Sequence, residues 1–116
     1  MAKNGVIALD DFTDPYNQVR AAYYHNRYAN EYPFELLIIG FGKGILVHQD
    51  MFNTYEAFVI NELQEKMSGI GLNTTLFRTD YSNHSRAFSI ATKKNASDPD
   101  LYGVNIWGKK FYKVSK

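Results

Sequence analysis

The period of the hydrophobic pattern changes along this chain, and each change marks an element. Residues 53 to 71, NTYEAFVINELQEKMSGIG, read as a helix. Phe58, Val59, Leu63 and Met67 recur at helical spacing with Tyr55 on the same side, while Glu62, Gln64, Glu65 and Lys66 take the wet side. Asn53 followed three residues later by Glu56 has the spacing of a capping box, so the pattern predicts a start at Asn53. Ser68, Gly69 and Gly71 predict the end, because glycine accepts the left-handed conformation that closes a helix. A helix with one apolar stripe must lay it on something, and the runs on either side supply a sheet.

Taken in order, Gly5 to Leu9 (GVIAL) is a short apolar run that reads as an edge strand or ordered arm. Asp14 and Pro15 open a first helix, an acidic N-cap followed by proline where a missing N–H costs nothing, extending to about Ala29. Glu35 to Phe41 (ELLIIGF) is a continuous apolar run after its first residue, which predicts a strand buried on both faces near the centre of the sheet. Gly42, Lys43 and Gly44 predict the turn to a partner strand, Ile45 to Gln49. After the second helix, Thr74 to Asp80 alternates with Leu76 and Arg78 on one side and Phe77 on the other. Tyr81 to Ser85 is a polar turn, and Arg86 to Thr92 returns with Phe88 and Ile90 on one face. Lys93 to Asp100 reads as loop, and Tyr102 to Trp107 with Lys110 to Val114 as a last hairpin. The expected fold is α+β: an antiparallel sheet of four to six strands with two helices on one face, in the order (β)αββαββββ, as a single domain over 1–116.

Composition narrows this little. At 116 residues, with 45% hydrophobic and 22% charged residues, the chain suits one globular domain. Aromatics reach 16%, mostly nine tyrosines and eight phenylalanines, and tyrosine serves binding faces as well as cores. The lack of cysteine excludes disulfides, thiolate metal sites and a cysteine nucleophile. The opening residues MAKNGVIALDDF hold no apolar run of export-signal length, and no stretch is long enough to cross a bilayer, so the expected location is cytoplasmic. The net charge of +1 is unevenly spread: residues 1–65 carry −5 and residues 66–116 carry +6.

No arrangement of residues carries a catalytic signature. Gly40-Phe41-Gly42-Lys43-Gly44 lacks the Ser or Thr after Gly-Lys, and the following helix, that a phosphate loop needs; it reads as a hairpin turn. Asp80, Ser82, His84 and Ser85 supply the letters of a triad, but near-consecutive residues in one turn diverge, so a polar turn or recognition tip is the better reading. His48 with Asp50, and His25 with Glu31, offer two metal ligands where a site needs three or four. Glu62 and Glu65 read as a solvated helix flank. Neither a metal nor a cofactor is expected, and the chain is read as a non-enzyme.

The C-terminal YGVNIWGKKFYKVSK interleaves Tyr102, Trp107, Phe111 and Tyr112 with Lys109, Lys110, Lys113 and Lys116. Single-stranded nucleic-acid binders combine these types, with aromatics stacking on bases and lysines meeting phosphates. The structural alternative places the rings inward and the lysines on a protected sheet edge. In general composition the chain resembles small phage-encoded accessory proteins, which are short, cysteine-free and rich in Tyr and Asn. That resemblance implies action by binding, as an inhibitor of a host enzyme or defence complex that handles nucleic acid. The leading expectation is therefore a protein-binding module. Its candidate anchors are Tyr24 and Tyr28 in the acidic half, and Tyr81, His84, Arg86, Trp107, Lys109, Lys110, Tyr112 and Lys113 in the basic half. The alternative is direct single-stranded nucleic-acid binding by the C-terminal strands. Self-association through a sheet edge is a further possibility for such β-rich segments.

Overall fold

A computed structural model describes residues 5–10, 33–79, 87–92 and 111–114, with side chains at all of these except 79 and 111–113. Its strands are β1 (Val6–Leu9), β2 (Phe34–Gly40), β3 (Lys43–His48), β4 (Thr74–Thr79), β5 (Phe88–Thr92) and the three-residue β6 (Phe111–Lys113). Between β3 and β4 runs one continuous helix of 21 residues, α1. It opens as a 3-10 turn at Gln49–Met51, is α-helical over Phe52–Phe58, passes through a π turn at Val59–Leu63, and ends as α-helix over Gln64–Gly69. The fold is α+β. The expected first helix over 14–29, the 81–85 turn, the 93–100 loop and the strand over 102–107 lie outside the described residues.

The sheet has the order β1-β3-β2-β5-β4-β6 and is mixed, not antiparallel. β2 and β5 are parallel, with Ile38 opposite Phe88 and Ile39 opposite Ser89, while every other pairing is antiparallel. The reason lies in α1. A helix returns the chain to the end of the sheet it left, so the strand that follows runs parallel to the one before. β4 is therefore parallel to β3, and its hairpin partner β5 comes to lie against β2 in the parallel sense. β1, on the far side of β3, also runs parallel to β2.

Both faces of the sheet are buried. On one, Val47, Leu76, Phe88 and Ile90 form the core with Phe52 and Val59 of α1. On the other, Ile39, Leu46 and Ala91 are fully buried and Leu36 nearly so. β2 therefore meets the expectation of a strand buried on both sides. A bulge between Leu36 and Ile38 leaves Leu37 without a register partner, which brings both Leu37 and Ile38 into the core under α1. Where β2 meets β5 the backbones are close: a Cβ on Gly40 would fall 2.6 Å from Ile90 Cγ2 and 2.7 Å from its carbonyl oxygen.

The ends of α1 follow different rules. Its cap is five residues earlier than the capping-box spacing predicts. His48 is the cap, its Nδ1 accepting from the Asp50 N–H at 3.1 Å, and Asn53 is an exposed residue already inside the helix. Glu56, freed from a capping role, instead reaches Arg78 of β4. The end is as expected. Gly71 takes a φ of 92°, its N–H donates to Ser68 O, and the Leu72 N–H donates to Met67 O at 2.9 Å, the paired bonds of a Schellman motif. Among the described residues, no helix is long and apolar enough to cross a membrane.

Candidate functional site

The stripe expected on the helix does face the sheet, and it is wider than a regular α-helix would make it. A π turn, closed by i→i+5 bonds, fits an extra residue into the turn. Phe58, Val59, Ile60 and Leu63 thus all reach the core, together with Tyr55 and Met67. Such turns are concentrated at functional sites. Here the turn forms one wall of an apolar cleft.

The cleft lies between α1 and the sheet. One part, about 420 Å³, has Val6, Ile38 and Ile45 as its floor and Thr54, Phe58 and Leu63 along its helical wall. A second part, about 340 Å³, shares Ile38, Ile45 and Leu63 and runs on to Met67, Lys43 and Phe41. The shared residues join them into one groove. Val6, on the edge strand, is 52% exposed, although its partner across the ladder, Val47, is completely buried.

Phe41 stands at the far end. The hairpin between β2 and β3 turns on Phe41 and Gly42, one residue earlier than expected, and Lys43 already belongs to β3. Both turn residues have positive φ, 53° and 79°, as a two-residue hairpin of the primed type requires. Glycine adopts this freely. Phenylalanine does so at a cost of order 1–2 kcal/mol. The strained ring is not buried in return, for Phe41 is 48% exposed at the mouth of the groove. Unrecovered strain of this kind is found at ligand clamps.

Charge is sparse in the lining. Among the described residues Lys43 is the one charged side chain there, and its Nζ lies 2.9 Å from Asp10 Oδ1 in an exposed pair that ties β1 to the hairpin. His48, considered above as a metal ligand, has its Nδ1 engaged in capping and its ring edge-on to Phe34 at 5.6 Å. Among the described residues, no three His, Cys, Asp or Glu side chains gather as a metal set. Glu62 and Glu65 are both exposed.

The groove is not where the sequence placed the working surface. Tyr24, Tyr28, Tyr81, His84, Arg86, Trp107, Lys109 and Lys110 lie outside the described residues. Tyr112 and Lys113 lie on β6, where the register sets them opposite Arg78 and Phe77. One signal was available in the sequence: a phenylalanine between two glycines, in a turn whose chemistry calls for Asn or Gly, is a large apolar group placed where it is hard to bury. No protein-family model matches the chain, and no curated protein or solved structure matches it either.

Proposed function

We propose that this protein is a non-enzymatic interaction module that engages a protein partner through the groove between α1 and the β1–β3–β2 side of the sheet. The single observation that carries this reading is the convergence on one groove of two local conformations that cost stability, the exposed Phe41 at positive φ and the π turn of α1. Among the described residues its lining is largely apolar and aromatic, the composition of a recognition surface. The compositional resemblance to phage accessory proteins favours a partner of host origin, an enzyme or defence complex that handles nucleic acid.

Site-specific photo-crosslinking tests this. A photoreactive residue replaces Thr54, exposed on the groove wall, or Glu65, exposed elsewhere on the helix, in the cells where the protein acts. A discrete protein adduct is expected from position 54 and none from position 65. The adduct should vanish when Leu63→Asp or Phe58→Ser is added in chains that remain folded by circular dichroism. An adduct indifferent to both substitutions, or none at position 54, would overturn the reading.

A further inference from the structure

We infer that two copies of this chain pair through β1, antiparallel about a two-fold axis at Ile7, and extend the sheet across both. The pairing stands apart from the groove reading, since it concerns the outer edge of β1 and not what the groove holds. It does bring the two grooves to one face. A two-fold axis between adjacent antiparallel strands runs perpendicular to the sheet and keeps both copies of α1 on the same side.

β1 ends the sheet order, and among the described residues its one ladder partner is β3. The outer edge of such a strand presents N–H and C=O groups ready for another strand. Edges are commonly guarded by Lys, Pro, a bulge or an inward-pointing charge. β1 has none of these: it reads VIAL, and its register with β3 runs unbroken from Val6 to Leu9. Both of its residues on the α1 face are exposed, Val6 at 52% and Ala8 beside it, although Val47 and Ile45 opposite them are buried and half-buried. The far edge of the sheet is different. There β6 is only three residues long and carries Lys113, and shortness and lysine are both guards of an edge.

The residues of β1 select a second copy as the strand that fits. Opposed residues of antiparallel strands point to the same face, so a symmetric pair must centre on a residue and not between two. Centred on Ile7, Gly5 opposes Leu9, Val6 opposes Ala8 and Ile7 opposes itself, so every pair over Gly5 to Leu9 is apolar. Centred on Ala8, Val6 would oppose Asp10; centred on Val6, Lys3 would oppose Leu9. Charge agrees on the direction. Lys3 precedes the strand, and Asp10 and Asp11 follow it. Antiparallel pairing runs the basic start of each strand toward the acidic finish of the other, whereas parallel pairing would run like against like. Val6 lies on the groove floor, so in the pair the second copy's Ala8 continues that floor.

Because the chain has no cysteine, single substitutions report the register. Ile7→Cys places two thiols on directly opposed residues, whose Cα atoms lie about 4.5–5.5 Å apart and within disulfide range. Leu9→Cys places them four residues apart along the strands, roughly 13 Å and out of reach. Under mild oxidation the first should give a covalent dimer and the second should not. Sedimentation of the parent chain should show a reversible species of twice 13.3 kDa that grows with concentration, since so short a pairing makes a small interface. At the exposed positions, Val6→Lys with Ala8→Lys should weaken this dimer about tenfold or more. Val6→Lys with Ala8→Glu, which sets Lys against Glu across the axis, should restore it. A monomer at every concentration, a disulfide from Leu9→Cys as readily as from Ile7→Cys, or no difference between the two double substitutions would overturn the pairing. The Thr54 crosslink separates the two readings. A chain that stays monomeric yet keeps the crosslink loses only the second copy; a dimer without the crosslink loses only the groove.

Discussion

The guanidinium of Arg78 on β4 lies over the ring of Phe88 on β5, its Cζ 4.5 Å from the ring centroid. From there it reaches Glu56 of α1. Arg78 is thus a polar strut between the helix and β4. Its long stem lies over the fully buried Phe88, and its charge is met by a carboxylate that is itself only 23% exposed.

This geometry makes the pair worth more than a surface ion pair, because both partners are largely withdrawn from water. Arg78→Met and Glu56→Gln should each lower stability by about 1–2 kcal/mol in urea unfolding, as expected for hydrogen bonds to charged groups. The double substitution should cost less than the two added together, with a coupling of about 1 kcal/mol. Simple additivity would mean that Arg78 contributes through its stem on Phe88 alone.

The start of α1 gives a second prediction, in which two residues exchange roles. By capping-box logic Asn53→Ala should cost about 1 kcal/mol and His48→Ala nothing from a lost cap. The structure reverses this. His48 accepts from the Asp50 N–H and packs on Phe34, whereas Asn53 is exposed inside the helix. Thermal unfolding should therefore show Asn53→Ala within about 0.5 kcal/mol of the parent chain and His48→Ala destabilised by about 1 kcal/mol or more.

These residues show what could be read from the chain and what could not. The end of α1 was legible because Gly71 has one conformational reason to be there. The buried centre was legible because LLIIG after Glu35 has no polar position to turn outward, and the strands around Leu76 and Phe88 because their alternation names a face. The start of α1 was missed because capping by His48 is a less common substitute for Asn, Asp, Ser or Thr, while Asn53 supplied a decoy. The parallel β2–β5 pairing was missed because local pattern does not say which strands a long helix will skip. The groove was missed for a related reason. Its lining comes from β1, β2, β3 and α1, a juxtaposition of elements that no short window of sequence contains.

Phe41 gives the last prediction, and the most discriminating one. If the strain at its positive φ serves only the hairpin, relieving it should improve stability and change nothing else. If the exposed ring is an anchor, stability and binding should move in opposite directions. Phe41→Asn separates these, because asparagine tolerates the left-handed region and completes the Asn-Gly pair preferred in such turns, without the chain entropy that glycine would add. The hairpin itself should persist, since the ladder from Gly40 and Lys43 to Phe34 and His48 does not depend on the ring. Unfolding should show a gain of about 0.5–1.5 kcal/mol, the greater part of the relieved backbone strain. The yield of the Thr54 crosslink should fall about tenfold or more, as for loss of an aromatic anchor worth at least about 1.4 kcal/mol. A stabilised variant with undiminished binding would make Phe41 a tolerated fault of the turn, and would leave the reading of the groove to the π turn of α1.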